Sequence, residues 1–412
     1  MSGSIIIVGG GASGLMAAVT AARRNLDVTV IERMPKPARK LMITGKGRCN
    51  VTNNTDLNGL ISAVTKNGRF LYSAFSEFSA ADTISFFENA GVNLKTERGN
   101  RVFPQTDKSS DIVDALVGRA KSAGVKFIHA RVSKLLVTDG KVTGVECDDG
   151  SKIDADATII ATGGKSYPLT GSTGDGYELA TSAGHTITNL QPSLVPLVVR
   201  EGWCSNLQGL SLKNVAVTVF EKDKPKPIYS DFGELMLTHY GLSGPIALSA
   251  SAHMSKLPET HYYFDIDLKP ALDEAKLDAR ILRDFEKYSN KNYSNAIQDL
   301  LPSKLIPVVI KLSKISPEEK VNQITKEQRL GLINVLKKLR FEVIGFRPIE
   351  EAVVTSGGVK VGEIDPKTMK SKVMDGLYFA GELIDVDAYT GGFNLQIAFS
   401  TGHAAGKAVL DN

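Results

Sequence analysis

The stretch SIIIVGGGASGLMAA, beginning at Ser4, constrains the fold more than any other part of this chain. A short β-branched run, as expected of a strand buried on both faces, gives way to Gly9, Gly11 and Gly14 in GxGxxG spacing. Leu15, Ala18, Val19 and Ala22 then recur at helical intervals, Asn25 stands where a helix would close, and DVTVIE (Asp27 to Glu32) reads as a second strand. The result is a β-α-β unit of about thirty residues, which predicts a parallel sheet with a right-handed crossover. In such a unit the first glycine makes the tight turn, the second lets the backbone approach a pyrophosphate, and the third allows helix and strand to pack closely. The helix N-terminus offers N–H groups and positive dipole to phosphates. Glu32, at the end of the second strand, can accept hydrogen bonds from a ribose. These features predict a dinucleotide site.

With 412 residues the chain can bury a sizeable core and divide into two or three domains. Its 49 basic residues against 45 acidic ones are too balanced to imply a nucleic-acid or membrane surface. Cys49, Cys147 and Cys204 form no CxxC pair and no metal-ligand spacing, which argues against a disulfide framework or a zinc site and fits a reducing cytoplasm. The apolar start lacks a basic flank and runs into the glycines, so it reads as a strand, not a signal peptide. No apolar run approaches the roughly 18 residues needed to span a bilayer.

Further along, ADTISFFENAG and SSDIVDALVGRAKSAG read as amphipathic helices closed by Gly91 and Gly124. From Val125 to Ala161, turn signals at TDGK and DDGS separate short alternating strands into an antiparallel meander, which leads into the buried strand ATIIATGG. Residues 191–268 read as strands and 271–340 as lysine-rich amphipathic helices, one with Leu330, Ile333, Leu336 and Lys337 at helical spacing. The expected organisation is an α/β, Rossmann-type nucleotide domain built from residues 1–190 and 350–412. A β-rich insertion (191–268 with about 341–349) and a helical insertion (269–340) interrupt it.

Three features favour FAD over a nicotinamide as the resident dinucleotide. The second strand is followed by a long segment carrying Arg39, Lys40 and Arg48 instead of another regular α/β unit. An antiparallel meander sits inside the sheet. Finally, the strand LYFAGE precedes the last helix, where flavoproteins hold the ribityl chain and ring. The loop KLMITGKGRCNVTNN then reads as a second cofactor clamp, its Lys40 and Arg48 flanking Gly45 and Gly47 to reach the pyrophosphate and ribityl chain. Cys49, without a partner cysteine, reads as a small side chain packed near the ring.

The motifs GKGRCNVTN, GRFLYSAFSEF, GNRVFPQTDKSSDIVDAL, ATGGKSYPLTGSTGDGYELA, LTHYGLSGP and FAGELIDVDAYTGGFNLQIAFSTG together resemble a bacterial family of FAD-dependent oxidoreductases. It includes aminoacetone oxidase-like and dehydro-bile-acid reductase-like proteins, and many known only as NAD(FAD)-utilizing dehydrogenases. The resemblance runs from the first strand to the last helix. It implies a β-barrel-like and a small helical inserted domain. It also implies non-covalent FAD held by Gly9, Gly11, Ala12, Ser13, Gly14, Glu32, Arg33, Lys40 and the loop of Gly45, Gly47, Arg48, Cys49 and Asn50. Val132, through its backbone, Ala161, Thr162, Gly163, Gly164, Gly381, Glu382, Gly392, Phe393, Asn394 and Leu395 complete the implied set.

TGGFNLQ opens the last helix with two glycines, so N–H groups of residues 392–395 can face the ring and stabilise negative charge on it. Asp385, after the GE pair, is placed to meet or support the ribityl chain. Candidate acid–base residues are His239, Tyr167 and Tyr389, with Lys165 beside them; His185, His253, His261 and His403 read as structural. No second GxGxxG lies between a strand and a helix, so NAD(P)H, if used, docks transiently as an electron donor. Two activities on a small-molecule substrate follow: NAD(P)H-dependent reduction of an activated C=C, or oxidation of an aminoacetone-like amine by oxygen. A flavin-containing tRNA-binding or modifying protein is the alternative from another class. It rests on eight basic against three acidic residues in 311–340, with no interleaved aromatics, so no stable nucleic-acid partner is expected.

Overall fold

The computed structural model describes residues 3–411. The chain forms two compact units, one from the residues up to Ser193 together with those from Pro348 onward, the other from Leu194–Arg347.

The first unit is built on the expected crossover. Strand β1 (Ser4–Val8) leads into helix α1 (Ala12–Ala22) and strand β2 (Asp27–Glu32). Asn25 closes α1 in the left-handed region at φ 60°. Strands β3 (Lys126–His129), β4 (Ala157–Ile160) and β5 (Leu377–Phe379) complete a five-stranded sheet of order β5-β4-β1-β2-β3. Every pairing is parallel, and Ile7 stands level with Ile159 on one side and Val30 on the other. These central residues are fully enclosed, as a sheet covered on both faces requires. The meander is present as three antiparallel strands, Val132–Thr138, Lys141–Cys147 and Lys152–Asp154. Its first turn places Asp139 and Gly140 at positive φ, the conformation a two-residue hairpin favours.

The last helix, α2 (Phe393–Ala408), packs along α1 through glycines. A Cβ on Gly402 would lie 2.3 Å from the Ser13 carbonyl oxygen, and one on Gly406 2.4 Å from that of Ala17. Ser13 is thus level with Gly402 and Ala17 with Gly406, so the two helices run parallel. α2 therefore begins about eight residues ahead of α1, roughly 12 Å along their shared direction. Two helix N-termini therefore face the same way, one set ahead of the other.

The second unit contains a closed six-stranded antiparallel barrel of Leu197–Val199, Gly241–Ser243, Pro227–Leu237, Ser211–Glu221, Tyr262–Asp267 and Leu339–Phe346. Helices Glu274–Lys287, Ile306–Ser313 and Lys326–Lys337 follow the lysine-rich stretch. Strands and helices share one apolar cluster, in which Phe264 and Phe341 meet Leu277, Ile281 and Leu336. The buried face of the last of these helices runs through Leu332, Ile333 and Leu336. Leu330, counted in that face by spacing alone, is 49% exposed.

Candidate FAD site

The glycine loop separates packing from binding. Gly9 sits at φ 103°, where a Cβ would come 2.6 Å from the Ala161 carbonyl oxygen, and a Cβ on Gly14 would lie 1.9 Å from the Gly9 carbonyl oxygen. Gly11 is different: a Cβ there meets nothing within 4 Å. It caps α1, and no side chain bonds the helix's first N–H groups. Open space next to bare donors is what an approaching phosphate needs. Ala12 and Ser13 are buried in the first turn. Glu32 accepts from the Gly10 N–H at 2.7 Å and the Met34 N–H at 2.7 Å, one on each oxygen. A carboxylate keeps further lone pairs after two such bonds, so Glu32 is held in place yet able to accept from a ribose.

The cations expected to reach the cofactor are engaged elsewhere. Arg33 donates to Thr173 at 2.5 Å and to Asp175 at 3.1 Å. Lys40 donates to Glu382 and to Ser166, both at 2.7 Å. Arg48 donates to Glu97 and Asp107 at 2.5 Å each and lies over the Phe103 ring at 4.1 Å. Lys40 and Arg48 are thus each paired with a carboxylate distant in sequence. Together they pin the loop, in which Gly45, Lys46 and Gly47 all take positive φ. Within this loop the Asn50 side-chain oxygen is buried and without a hydrogen-bond partner, an acceptor that a ligand's N–H or O–H would satisfy.

Cys49 is fully buried at φ 58°, and burial pushes its thiol up to about 11 despite a hydrogen bond with Thr44. Cys204 is pushed up to about 11 as well, again by burial first, and Cys147 is buried. Thiolate is the reactive form. The folded protein is therefore expected to show no thiol reacting with a disulfide reagent at neutral pH, and three after unfolding. A fast-reacting Cys49 would restore a redox role for it.

At the ring end, Gly391 and Gly392 take φ 128° and 98°, and no side chain caps the N-terminus of α2. A Cβ on Gly392 would lie 2.4 Å from the Thr52 backbone. Asn394 donates to the Ala388 carbonyl at 2.7 Å and accepts from the Ala388 N–H at 3.0 Å, so its side chain braces the turn before α2. The Phe393 ring lies against Gly391, and Leu395 packs on the core. Gly381 takes φ 77° and donates to Thr401 of α2 at 2.9 Å. Beside it, Glu382 accepts from the Thr355 N–H at 2.8 Å as well as from Lys40. The remaining implied residues line β4 and the meander. The Ala161 N–H donates to the Val8 carbonyl at 2.8 Å, Gly163 sits at φ 74°, and Gly164 faces Thr355 and Glu382. The Thr162 hydroxyl faces Gly176, and Val132 is buried opposite Cys147.

Two buried polar groups escaped the sequence reading. Gln396 accepts from Thr52 at 2.6 Å and Thr83 at 2.9 Å and donates to the Phe78 carbonyl and Ser400. Asp387, 2% exposed, accepts from Thr65 at 2.9 Å, Ser193 at 2.7 Å and Ser356 at 2.9 Å. Its signal was the two-residue spacing from Asp385 in LIDVDAY, which sets both acids on one side of an extended segment. Asp385 is equally enclosed and pairs with Lys66 at 2.8 Å, while its carbonyl accepts from Asn67 at 2.7 Å.

The acid–base candidates differ in their surroundings. Tyr167 takes φ 53°, has the Lys40 ammonium 6.0 Å over its ring, and has its hydroxyl pushed up by burial. Tyr389 follows Ala388; its N–H donates to the Ala63 carbonyl and its own carbonyl accepts from Asn394. His239 belongs to the second unit, exposed and edge-on to Tyr240 at 4.8 Å. His185 is buried, 2.7 Å from the Ser371 hydroxyl and 3.2 Å from Glu363, and His403 stacks on Phe78 at 4.6 Å, both as structural histidines do.

A sequence model of the HI0933-like protein Rossmann domain matches residues 3–408. This chain belongs to that family. HI0933-like proteins are FAD-binding oxidoreductases, and this chain is an FAD-dependent oxidoreductase. It is 31% identical over 98% of both chains to a 3-dehydro-bile acid delta(4,6)-reductase of Clostridium scindens. It is 29% identical, over 98% of its length and 97% of the other, to a ribosomal RNA dihydrouridine synthase of Escherichia coli. In fold it is similar to a 3-ketosteroid-delta4-(5alpha)-dehydrogenase from Rhodococcus jostii, at 14% identity and a TM-score of 0.54 over all of this chain and 97% of the other. The residues fit FAD: open space at Gly11, the held but unsaturated Glu32, the orphaned Asn50 oxygen, and a second uncapped helix about 12 Å ahead of the first. Among the described residues no helix is long and apolar enough to cross a membrane.

Proposed function

We propose that this HI0933-like protein reduces a C=C bond conjugated with a carbonyl in a small organic substrate, with NAD(P)H as a transient electron donor. The observation that carries the reading is whole-length likeness to two enzymes whose names describe that one chemistry. A 3-dehydro-delta(4,6) steroid is a conjugated dienone, and dihydrouridine is a uracil saturated across a C=C next to a carbonyl. The balance is one NAD(P)H and one proton consumed per C=C saturated, the hydride ending on the β-carbon and the proton on the α-carbon.

Bound FAD supplies hydride exchange at N5. The chain's own part is to hold it and to manage charge and protons. The N-terminus of α1, with Gly9, Gly11 and Gly14, receives the pyrophosphate, and Glu32 the ribose. Asn50 accepts from a donor on the cofactor. The bare N–H groups of Phe393, Asn394 and Leu395 face the ring and favour negative charge there. Tyr389, set between Ala388 and the first turn of α2, is assigned as the donor of the α-carbon proton.

The test is anaerobic. NADPH or NADH is expected to bleach the visible flavin band within seconds, and a 3-oxo-4,6-diene steroid to restore it with a saturated product. Tyr389→Phe should leave bleaching intact and slow the restoration by about a hundredfold. A flavin that no pyridine nucleotide reduces, but that aminoacetone bleaches with peroxide formed on adding air, overturns the reading in favour of an oxidase. Restoration by ribosomal RNA and not by the dienone moves the substrate to uridine.

A further inference from the structure

The second unit holds a cavity of about 680 Å³ that the oxidoreductase reading does not use, a size within the range of small-molecule sites. Its walls are mostly apolar, made by Phe232, Leu268, Pro270, Leu272 and Leu300. Phe232 is 51% exposed, unusual for a large aromatic ring on a barrel strand. The strands beside it are bulged: pairing shifts between Leu212 and Val215, so Lys213 and Asn214 together oppose Glu234. The bulge turns Asn214 into the cavity lining.

Three charged side chains line this space, and two are already matched. Arg280 shares its Nε–H between the two Asp284 carboxylate oxygens, at 2.9 and 3.0 Å. Asp299 accepts from the Tyr288 hydroxyl at 2.6 Å and from Lys287 at 3.3 Å. Lys269 is half-buried, and no carboxylate lies within ion-pair distance of its ammonium among the described residues. Burial, and then the nearby Arg280, hold its pKa below the usual lysine range, with Asp284 opposing. The loop carrying it is fixed. Its N–H donates to Asp267 at 2.8 Å, and Lys337 donates to the carbonyls of Lys269 and Leu272 at 3.2 and 2.7 Å. A hydrogen-bonded loop thus presents one cation without an ion-pair partner to a mostly apolar hollow.

We infer that this cavity binds an amphipathic monoanion, a carboxylate or sulfonate on an apolar body, with its head group at Lys269 and its body against Phe232, Pro270 and Leu272. Asn214, which also lines the cavity, carries an amide able to donate a hydrogen bond to such a head group. The site stands on the second unit's own residues and does not depend on the substrate assigned above.

Calorimetric titration of the flavin-loaded full chain with decanoate tests it. One saturable site is expected, with decylammonium failing to bind. Lys269→Gln should weaken decanoate about tenfold, Lys269→Arg should keep it near the parent value, and Phe232→Ser should weaken it through the wall. Flavin content and melting temperature, unchanged in these variants, show that the fold is intact. Equal affinity in Lys269→Gln, binding of decylammonium as tight as decanoate, or no saturable heat overturns the site.

Discussion

Gly11→Ala is expected to give a stable chain that has lost its flavin, whereas Gly14→Ala is expected to damage the fold itself. The two glycines lie three residues apart in one motif, but their surroundings differ. An alanine Cβ at Gly14 would lie 1.9 Å from the Gly9 carbonyl oxygen, and neither partner is a flexible side chain. The turn must open or α1 must shift, at a cost of about 3 kcal/mol or more. At Gly11 the backbone has φ −80°, which alanine adopts freely, and the added methyl meets no protein atom. The apoprotein of Gly11→Ala should therefore melt within about 0.5 kcal/mol of the parent, and loss of glycine's freedom in the unfolded chain favours it slightly. The methyl instead occupies the space through which a pyrophosphate approaches the first N–H groups of α1. A hundredfold weaker affinity for FAD, about 2.7 kcal/mol, is the expected result. Thermal melts of both apoproteins and fluorescence titration with FAD separate the two effects. Unchanged FAD affinity in Gly11→Ala would mean that the open space at Gly11 is not where the pyrophosphate sits.

This contrast also marks how far the sequence could be read. The GxGxxG turn, the buried β-branched strands, the left-handed close at Asn25 and the hairpin at Asp139–Gly140 all depend on neighbours within a few residues, so they were legible. The roles of charges were not. The partner of Lys40 is Glu382, 342 residues away, and those of Arg48 are Glu97 and Asp107, pairings that no local pattern announces. Helical spacing alone could not say that Leu330 faces out while Leu332 faces in, because that depends on which side the barrel lies. Barrel closure, which joins Leu197–Val199 to Leu339–Phe346 across the length of the unit, was expected through the resemblance and not from local pattern. The resemblance named the cofactor and left the acid–base chemistry open.

Asp387 is the clearest case of a residue whose weight only the structure shows. The chain leaves the first unit after Gln191–Ser193 and is back in it by Val354–Ser356, and these two strands pair antiparallel. Ser193 and Ser356 each donate to Asp387, and Thr65 donates from a third segment. The next residue, Ala388, is braced on both its N–H and its carbonyl by Asn394 in the first turn of α2. One carboxylate therefore ties both crossings to the helix end proposed to face the ring. Asp387→Ala would strand three buried hydroxyl donors and open a void, for an expected loss of about 3–5 kcal/mol and of most of the flavin. Asp387→Asn keeps an acceptor of nearly the same shape and is expected to cost about 1–2 kcal/mol. The pair also predicts a pH dependence. Burial is the largest influence on this carboxyl and raises its pKa, against the three hydroxyls and Lys66. A carboxyl that holds its proton longer when folded contributes most stability below its unfolded pKa of about 3.9. That contribution fades as pH rises through the folded value, because over that window the unfolded chain binds fewer protons. The parent's advantage over Asp387→Asn should accordingly be greatest in the acid range and shrink as pH rises. Urea unfolding of both proteins from about pH 4 upward measures this difference, and the other carboxylates cancel in the comparison. An advantage that grows with pH would mean that the hydroxyl donors outweigh burial and that Asp387 is held as a stable buried anion.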